Sequence, residues 1–161
     1  MKIDLSQVRI EFPEKPTRVW DHCSKSNFYD YRVFGYCGEE EIGHITVSLC
    51  QFMEGDEKND FWFEKKKRVW IPRPVAVFQR TEAGYKGQGV SGKLLVLVNE
   101  EVKRRDNMPL ASDITFCQRP MYMDDKRGFA ERPAMRVWEK LEEQELAYRR
   151  DYHHKPRWIM K

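Results

Sequence analysis

The run Lys86-Gly87-Gln88-Gly89-Val90-Ser91-Gly92-Lys93 gathers three glycines and two lysines, the residue types from which an anion cradle is built. Glycine lacks a Cβ, so the backbone can turn sharply and approach a ligand closely. The first amides of a helix have no internal acceptors and lie at the positive end of its dipole, a setting suited to phosphate oxygens. The flanks supply the needed elements. Ahead, Val69, Ile71, Val75, Val77 and Phe78 mark a β-like run; behind, Val90, Leu94, Leu95, Leu97, Val98 and Val102 recur at helical spacing.

Two known phosphate loops fit incompletely. A P-loop needs Ser or Thr after its GxxxxGK string to hold magnesium, and Leu94 stands there. A dinucleotide fingerprint needs an acidic residue about 20 residues on, at the end of a parallel strand. Asp106 and Asp113 do not end an obvious strand at that distance. A glycine turn between a strand and a helix, without a ligand, is the plain structural alternative.

The elements that must position this loop read as follows. Ile3 to Phe12 alternates as a first strand closed by Pro13 and Pro16. Tyr29 to Tyr36 and Glu41 to Cys50 flank Cys37-Gly38-Glu39-Glu40 and predict an antiparallel hairpin. Gln51 to Arg68 is hydrophilic apart from Phe52, Met53, Phe61, Trp62 and Phe63, and it ends in Lys65-Lys66-Lys67-Arg68. It reads as a solvated loop or short helix; aromatic faces beside cations also fit an acceptor- or nucleic-acid-recognition element. Gly89 to Arg105 predicts a helix ending in cations that suit its dipole. Leu110 to Phe116 predicts a buried strand, Gln118 to Ala130 is turn-rich, and a further helix starts near Pro133. Leu146 to Tyr152 and Arg157 to Met160 predict a closing hairpin around His153-His154-Lys155-Pro156.

From about Val75 to Leu146 the chain resembles the GNAT superfamily of acyl-CoA-dependent N-acyltransferases. Lys86-Gly87-Gln88-Gly89-Val90-Ser91 fills the signature Arg/Gln-x-x-Gly-x-Gly/Ala, with Lys in the Arg position and Ser in the last small position. Pro109 to Thr115 resembles that family's next strand, and Ala134-Met135-Arg136-Val137-Trp138-Glu139-Lys140-Leu141 resembles its last helix. The resemblance implies an α/β (α+β) fold: a central mixed, mostly antiparallel sheet of about six or seven strands, splayed at the acyl-CoA site, with helices on both faces. The family usually places one or two helices between its first two strands as part of the acceptor site. Only a short segment is available for them here, so that region is reduced.

By the same resemblance, Phe78, Gln79, Arg80 and Thr81 offer backbone groups to the acetyl-pantetheine arm. Lys86, Gly87, Gln88, Gly89, Val90, Ser91, Gly92 and Lys93 hold the pyrophosphate. Acetyl-CoA is the implied cosubstrate, and the activity is direct acetyl transfer to a primary amine. Glu82 and Asp113 are the candidate general bases, each of which has an ordinary structural reading as a loop or strand-end carboxylate. The family's tyrosine acid has Trp138 in its place, and an indole cannot protonate a thiolate near neutral pH. Tyr122 and Tyr148 are the substitutes, while Trp138 reads as core beside Met135, Val137 and Leu141. No cysteine with a base neighbour lies near the proposed cleft, so a covalent acyl-enzyme is not expected. The alternative is a CoA-binding or interaction protein on the same scaffold without turnover, with a nucleic-acid-associated role using Phe61, Trp62 and Lys65 to Arg68.

Composition sets the outer bounds. The 161 residues, 40% hydrophobic and 34% charged, suit one domain spanning 1–161 with a real core and a heavily charged surface. No apolar run reaches the roughly 20 residues of a membrane span, and no signal-peptide core opens the chain, so a cytoplasmic protein is expected. Cys23, Cys37, Cys50 and Cys117 form no CxxC pair and lack ligand-like spacing to His22, His44, His153 or His154. Reduced thiols and no metal are therefore expected. The net charge of +3 says little about partners. Those expected are acetyl-CoA and an amine acceptor that is a protein, nucleotide or small molecule, with a homodimer as an option and no membrane.

Overall fold

A computed structural model describes residues 2–21, 26–50, 61–64, 69–72, 74–112, 133–152 and 155–161. The strands are β1 (Val8–Glu11), β2 (Thr17–Asp21), β3 (Ser26–Cys37), β4 (Glu40–Cys50), β5 (Phe61–Glu64), β6 (Val69–Pro72), β7 (Val75–Thr81), β8 (Ala111–Ser112), β9 (Ala147–Tyr152) and β10 (Lys155–Met160). Helix α1 (Val90–Asp106) separates β7 from β8, and α2 (Pro133–Glu143) precedes β9.

The main sheet is mixed and runs β1-β3-β4-β7-β8-β10-β9, with β2 also on β3. β1 and β2 lie end to end along β3, opposite Phe34–Cys37 and Ser26–Asp30. All described pairings in it are antiparallel except β7 with β8. The expected mostly antiparallel mixed sheet is thus present. Three local readings change. The first strand begins late because Asp4 accepts hydrogen bonds from Ser6 N (3.0 Å) and Ser6 Oγ (2.7 Å), which holds Leu5–Gln7 in a 3-10 turn. Between β1 and β3 the chain forms β2. The segment read as a loop or short helix contains β5, which pairs with β6 as a separate ribbon; residues 51–60 and 65–68 lie outside the described residues.

Helix α1 follows its apolar periodicity and buries Val90, Leu94, Leu95, Val98 and Val102 against Val33, Ile45, Val47 and Ala76. Leu94 lies over Gly35 and Gly43, which leave room for it. Lys103, Arg104 and Arg105 occupy the last turn, and Asn107 ends the helix in the left-handed region (φ 53°). Arg105 fastens that end to the chain after β1: it donates to Pro13 O (2.7 Å) and Glu101 (2.8 Å), and it stacks over Phe12 (4.1 Å). Helix α2 lies beside α1, with Val137 and Leu141 facing Gly92. Met135, Trp138 and Leu141 join the same core as Leu94 and Val98. Both described helices therefore share one face of the sheet, where helices on both faces were expected.

The described residues of β8 are fixed by polar side chains. Asn99 of α1, buried, accepts from Leu110 N (2.9 Å) and donates to Lys161 O (3.3 Å). Ser112 accepts Trp158 N on its hydroxyl (2.9 Å) and Arg157 Nε on its carbonyl (3.0 Å). Such bonds answer buried backbone groups that the described strand pairing does not. They hold β8 in place beside β7.

Candidate functional site

The glycine loop leaves β7 through Glu82, passes the 3-10 turn Ala83–Tyr85 and enters α1. Gly87 (φ 79°) and Gly89 (φ 83°) both take the left-handed conformation, which other residues adopt at a cost. Gly89 is the N-cap of α1 and makes no side-chain cap bond. The first intrahelical bond is Lys93 N to Gly89 O (3.1 Å), so the amides of Val90, Ser91 and Gly92 precede the helical ladder. No acidic residue occupies the first turn. Around Gly84 and Gly87 there is open space on the Cβ side. This is an anion-receptive helix start, open on its outer side.

The loop is braced. Thr81 Oγ1 and Ser91 Oγ share a hydrogen bond of 2.8 Å, tying the end of β7 to the first turn of α1. Gln88 Oε1 accepts from Ile3 N (2.7 Å), and Leu5 lies beside Gly89. Lys2, Ile3, Leu5 and Gln88 line an open groove of about 400 Å³. The expected ligand residues thus divide by role. Val90 is buried core, Gly92 faces α2, Ser91's hydroxyl is engaged with Thr81, and Gln88 holds the chain's early segment. Lys86 and Gly87 are exposed, and Lys93 is half-buried.

Strand β7 supplies the second part of the site. Its pairing with β8 covers Val75 with Ala111 and Ala76 with Ser112; residues 113–132 lie outside the described residues, among them the candidates Asp113 and Tyr122. Opposite β4 the register skips Val77, an extra residue between Ala76 and Phe78. A bulge of this kind leaves backbone groups unpaired and re-aims side chains. Val77 and Phe78 are 40% and 51% exposed despite being apolar. Gln79 shares the α1 face, with its Oε1 buried and without a hydrogen bond; Arg80 is exposed and lies 3.7 Å from Glu82.

On the face away from α1, His44 lies opposite Arg80 and Phe34. Its ring stacks on Phe78 (5.4 Å, 26°) and tilts against Phe34 (5.7 Å). Burial, then the nearby Arg32 charge, lowers its pKa from the ordinary 6.5, which keeps the ring neutral near pH 7. Glu41, His44 and Glu82 bring ligand atoms within 4.8 Å of one another. Sequence spacing missed this cluster. In a regular strand, positions 41 and 44 face opposite ways; here Ile42 is an extra residue opposite Gly35 and Tyr36, and it restores both to one side. The signal was present in the burial phase: Ile42 and Ile45 are both core yet three apart.

Of the other proposed catalytic groups, Glu82 directly follows β7 and belongs to this cluster. Tyr148 is exposed on β9, beyond β8 and β10 from β7 in the strand order, roughly 14 Å away at ordinary strand spacing. Trp138 is fully buried in the core. Cys37 is a half-buried free thiol. Among the described residues, no helix is long and apolar enough to cross a membrane. Set against protein-family models, curated proteins and solved structures, the chain matches none.

Proposed function

We propose that the protein is an acetyl-CoA-dependent N-acetyltransferase of the GNAT type that transfers the acetyl group directly to a primary amine. The observation that carries this reading is the uncapped start of α1, entered through left-handed Gly87 and Gly89 shortly after a strand that is bulged opposite β4 and exposes Val77 and Phe78. In this reading the amides of Val90, Ser91 and Gly92 hold the pyrophosphate, assisted by Lys86. The groove beside Gln88 receives the nucleotide end, and Val77 to Thr81 align the pantetheine arm.

The chemistry then follows from alignment. The neutral amine attacks the thioester carbonyl, the C–N bond forms, the C–S bond breaks, and the thiolate takes up a proton from solvent. Glu82 accepts the amine's proton directly or through one water. Holding amine and thioester in register supplies an effective molarity of roughly 10⁵ M or more, enough to sustain transfer without a dedicated acid. The open face beside Phe78 suits a bulky acceptor, such as a protein or nucleotide amine.

Titration calorimetry with acetyl-CoA, followed by mass spectrometry for free CoA after adding amine pools, tests this reading. Saturable binding with CoA release is expected. No binding overturns it. The burial of Trp138 and the position of Tyr148 favour one second reading, a CoA-binding scaffold without turnover, for which binding without release in every pool is the expected result.

A further inference from the structure

We propose that Glu41, His44 and Glu82 form a binding site for one divalent transition-metal ion of the zinc or manganese class. Two of the residues lie on β4 and the third directly follows β7. His44 and Glu41 are brought to one side of β4 by the extra residue Ile42, and the backbone of Glu82 docks on the same place through Glu82 N to Ile42 O (2.9 Å). Their ligand atoms lie within 4.8 Å of one another.

The second observation is His44 itself. The residue is 5% exposed, and its Nδ1 is buried without a hydrogen-bond partner. Glu41 Oε1 stands 3.9 Å from that nitrogen, beyond hydrogen-bond reach. A buried ring nitrogen is ordinarily satisfied. With the Glu41 carboxylate too far away for a hydrogen bond, this nitrogen is available as a ligand. Ligand atoms about 2.0–2.1 Å from a tetrahedral ion sit roughly 3.4 Å apart, so small rotations of the half-exposed carboxylates close the triad.

One imidazole and two carboxylates match zinc, manganese or ferrous iron better than calcium or magnesium, which prefer oxygen alone. The ring, stacked on Phe78 and tilted against Phe34, is held by its neighbours, which lowers the ordering cost at the nitrogen ligand. Arg80 competes for Glu82 at 3.7 Å, but an exposed pair of that length has little net worth. Arg32 opposes a cation nearby, and two carboxylates outweigh it in charge. Spacing of cysteines and histidines along the chain pointed to no metal; this triad uses one histidine with acids brought together by a bulge.

The site shares Glu82 with the acyl-transfer reading, in which that carboxylate is the base, and a bound ion would withdraw it from that role; the test uses no acyl donor, so its outcome does not depend on that reading. Calorimetry with zinc and with manganese alone is run on the full chain and on Glu41→Gln, Glu82→Gln and Glu39→Gln. Glu41 is half-exposed and Glu39 exposed, so both substitutions leave the core intact. One ion per chain is expected, with affinity lost at least about 10-fold in Glu41→Gln and Glu82→Gln and kept in Glu39→Gln. Nitrogen coupling in the manganese electron-spin spectrum should report the imidazole. Absence of binding below millimolar metal, equal binding by all variants, or equal loss in Glu39→Gln overturns the proposal.

Discussion

Replacing Gly89 tests the anion loop most directly, because the structure separates its effect on the fold from its effect on a ligand. At φ 83° an added side chain strains the backbone, yet its Cβ would meet only Leu5 Cδ1 at 3.5 Å, an ordinary contact. Left-handed strain for an L residue is about 1–2 kcal/mol. In a domain of this size that lowers Tm by roughly 2–8 °C. If the backbone instead relaxes, the amide of Val90 turns from its aim and one charge-assisted hydrogen bond, about 1.5–3 kcal/mol, is lost. Acetyl-CoA affinity should then fall about 10- to 150-fold. Gly38 is the internal control: it also has positive φ (63°), has nothing within 4 Å of its Cβ position, and lies on the β3–β4 turn. Gly38→Ala should reproduce the thermal loss with no change in affinity. Calorimetry and thermal melts on Gly89→Ala, Gly89→Val and Gly38→Ala decide the matter. A folded Gly89→Val that binds acetyl-CoA as wild type does, or a Gly38→Ala that weakens binding equally, refutes the reasoning.

Three further outcomes follow from packing and charge. A Cβ on Gly43 would lie 2.5 Å from the backbone oxygen of Arg80, which the β4–β7 ladder holds in place; Gly43→Ala should cost about 1–3 kcal/mol in urea unfolding, and a neutral result would contradict the β4–β7 register. Asn99→Ala leaves Leu110 N without its acceptor and should cost about 1–3 kcal/mol by the same assay; a neutral result would remove Asn99 from its bridging role. Hydrogen bonds from Arg104 and then Arg105 hold the Glu101 carboxyl at about 2 against an ordinary 4.5, so its stabilisation is complete above pH 4.5 and is lost as pH falls toward 2. Because Arg104 is exposed and the other two are partly so, Glu101→Gln should cost about 1 kcal/mol at pH 7, and the gap to wild type should close in acid; a gap that widens there would reverse the assignment.

Much of this architecture was readable from local pattern. The periodicity of Val90, Leu94, Leu95, Val98 and Val102 gave α1 within a residue at each end, since the glycines before it and the basic turn and Asn107 after it are strong local signals. The β3–β4 hairpin, α2 and the closing β9–β10 pair came from the same kind of reading. What failed was non-local or depended on phase. The 3-10 turn at Leu5–Gln7 depends on one Asp4 side chain. The β5–β6 ribbon needs its partner strand to be known. The Glu41–His44–Glu82 cluster depends on a single inserted residue in a strand, which alternation cannot forecast without the register of the neighbour. Asp113, Tyr122 and the His153-His154 pair lie outside the described residues.

Strand β10 lies between β8 and β9 although it follows both in the chain. The order of assembly is therefore not the order of synthesis. Until β10 inserts, β8 has one unsatisfied edge, and Ser112 lacks both the Trp158 amide and the Arg157 guanidinium that later occupy it. An open edge is a template for pairing with a second chain, and contacts of such long sequence separation form slowly. The protein's exposure to misassembly is thus concentrated in the interval before its late-arriving strand closes the sheet, and refolding yield should fall with protein concentration more steeply than native stability would suggest.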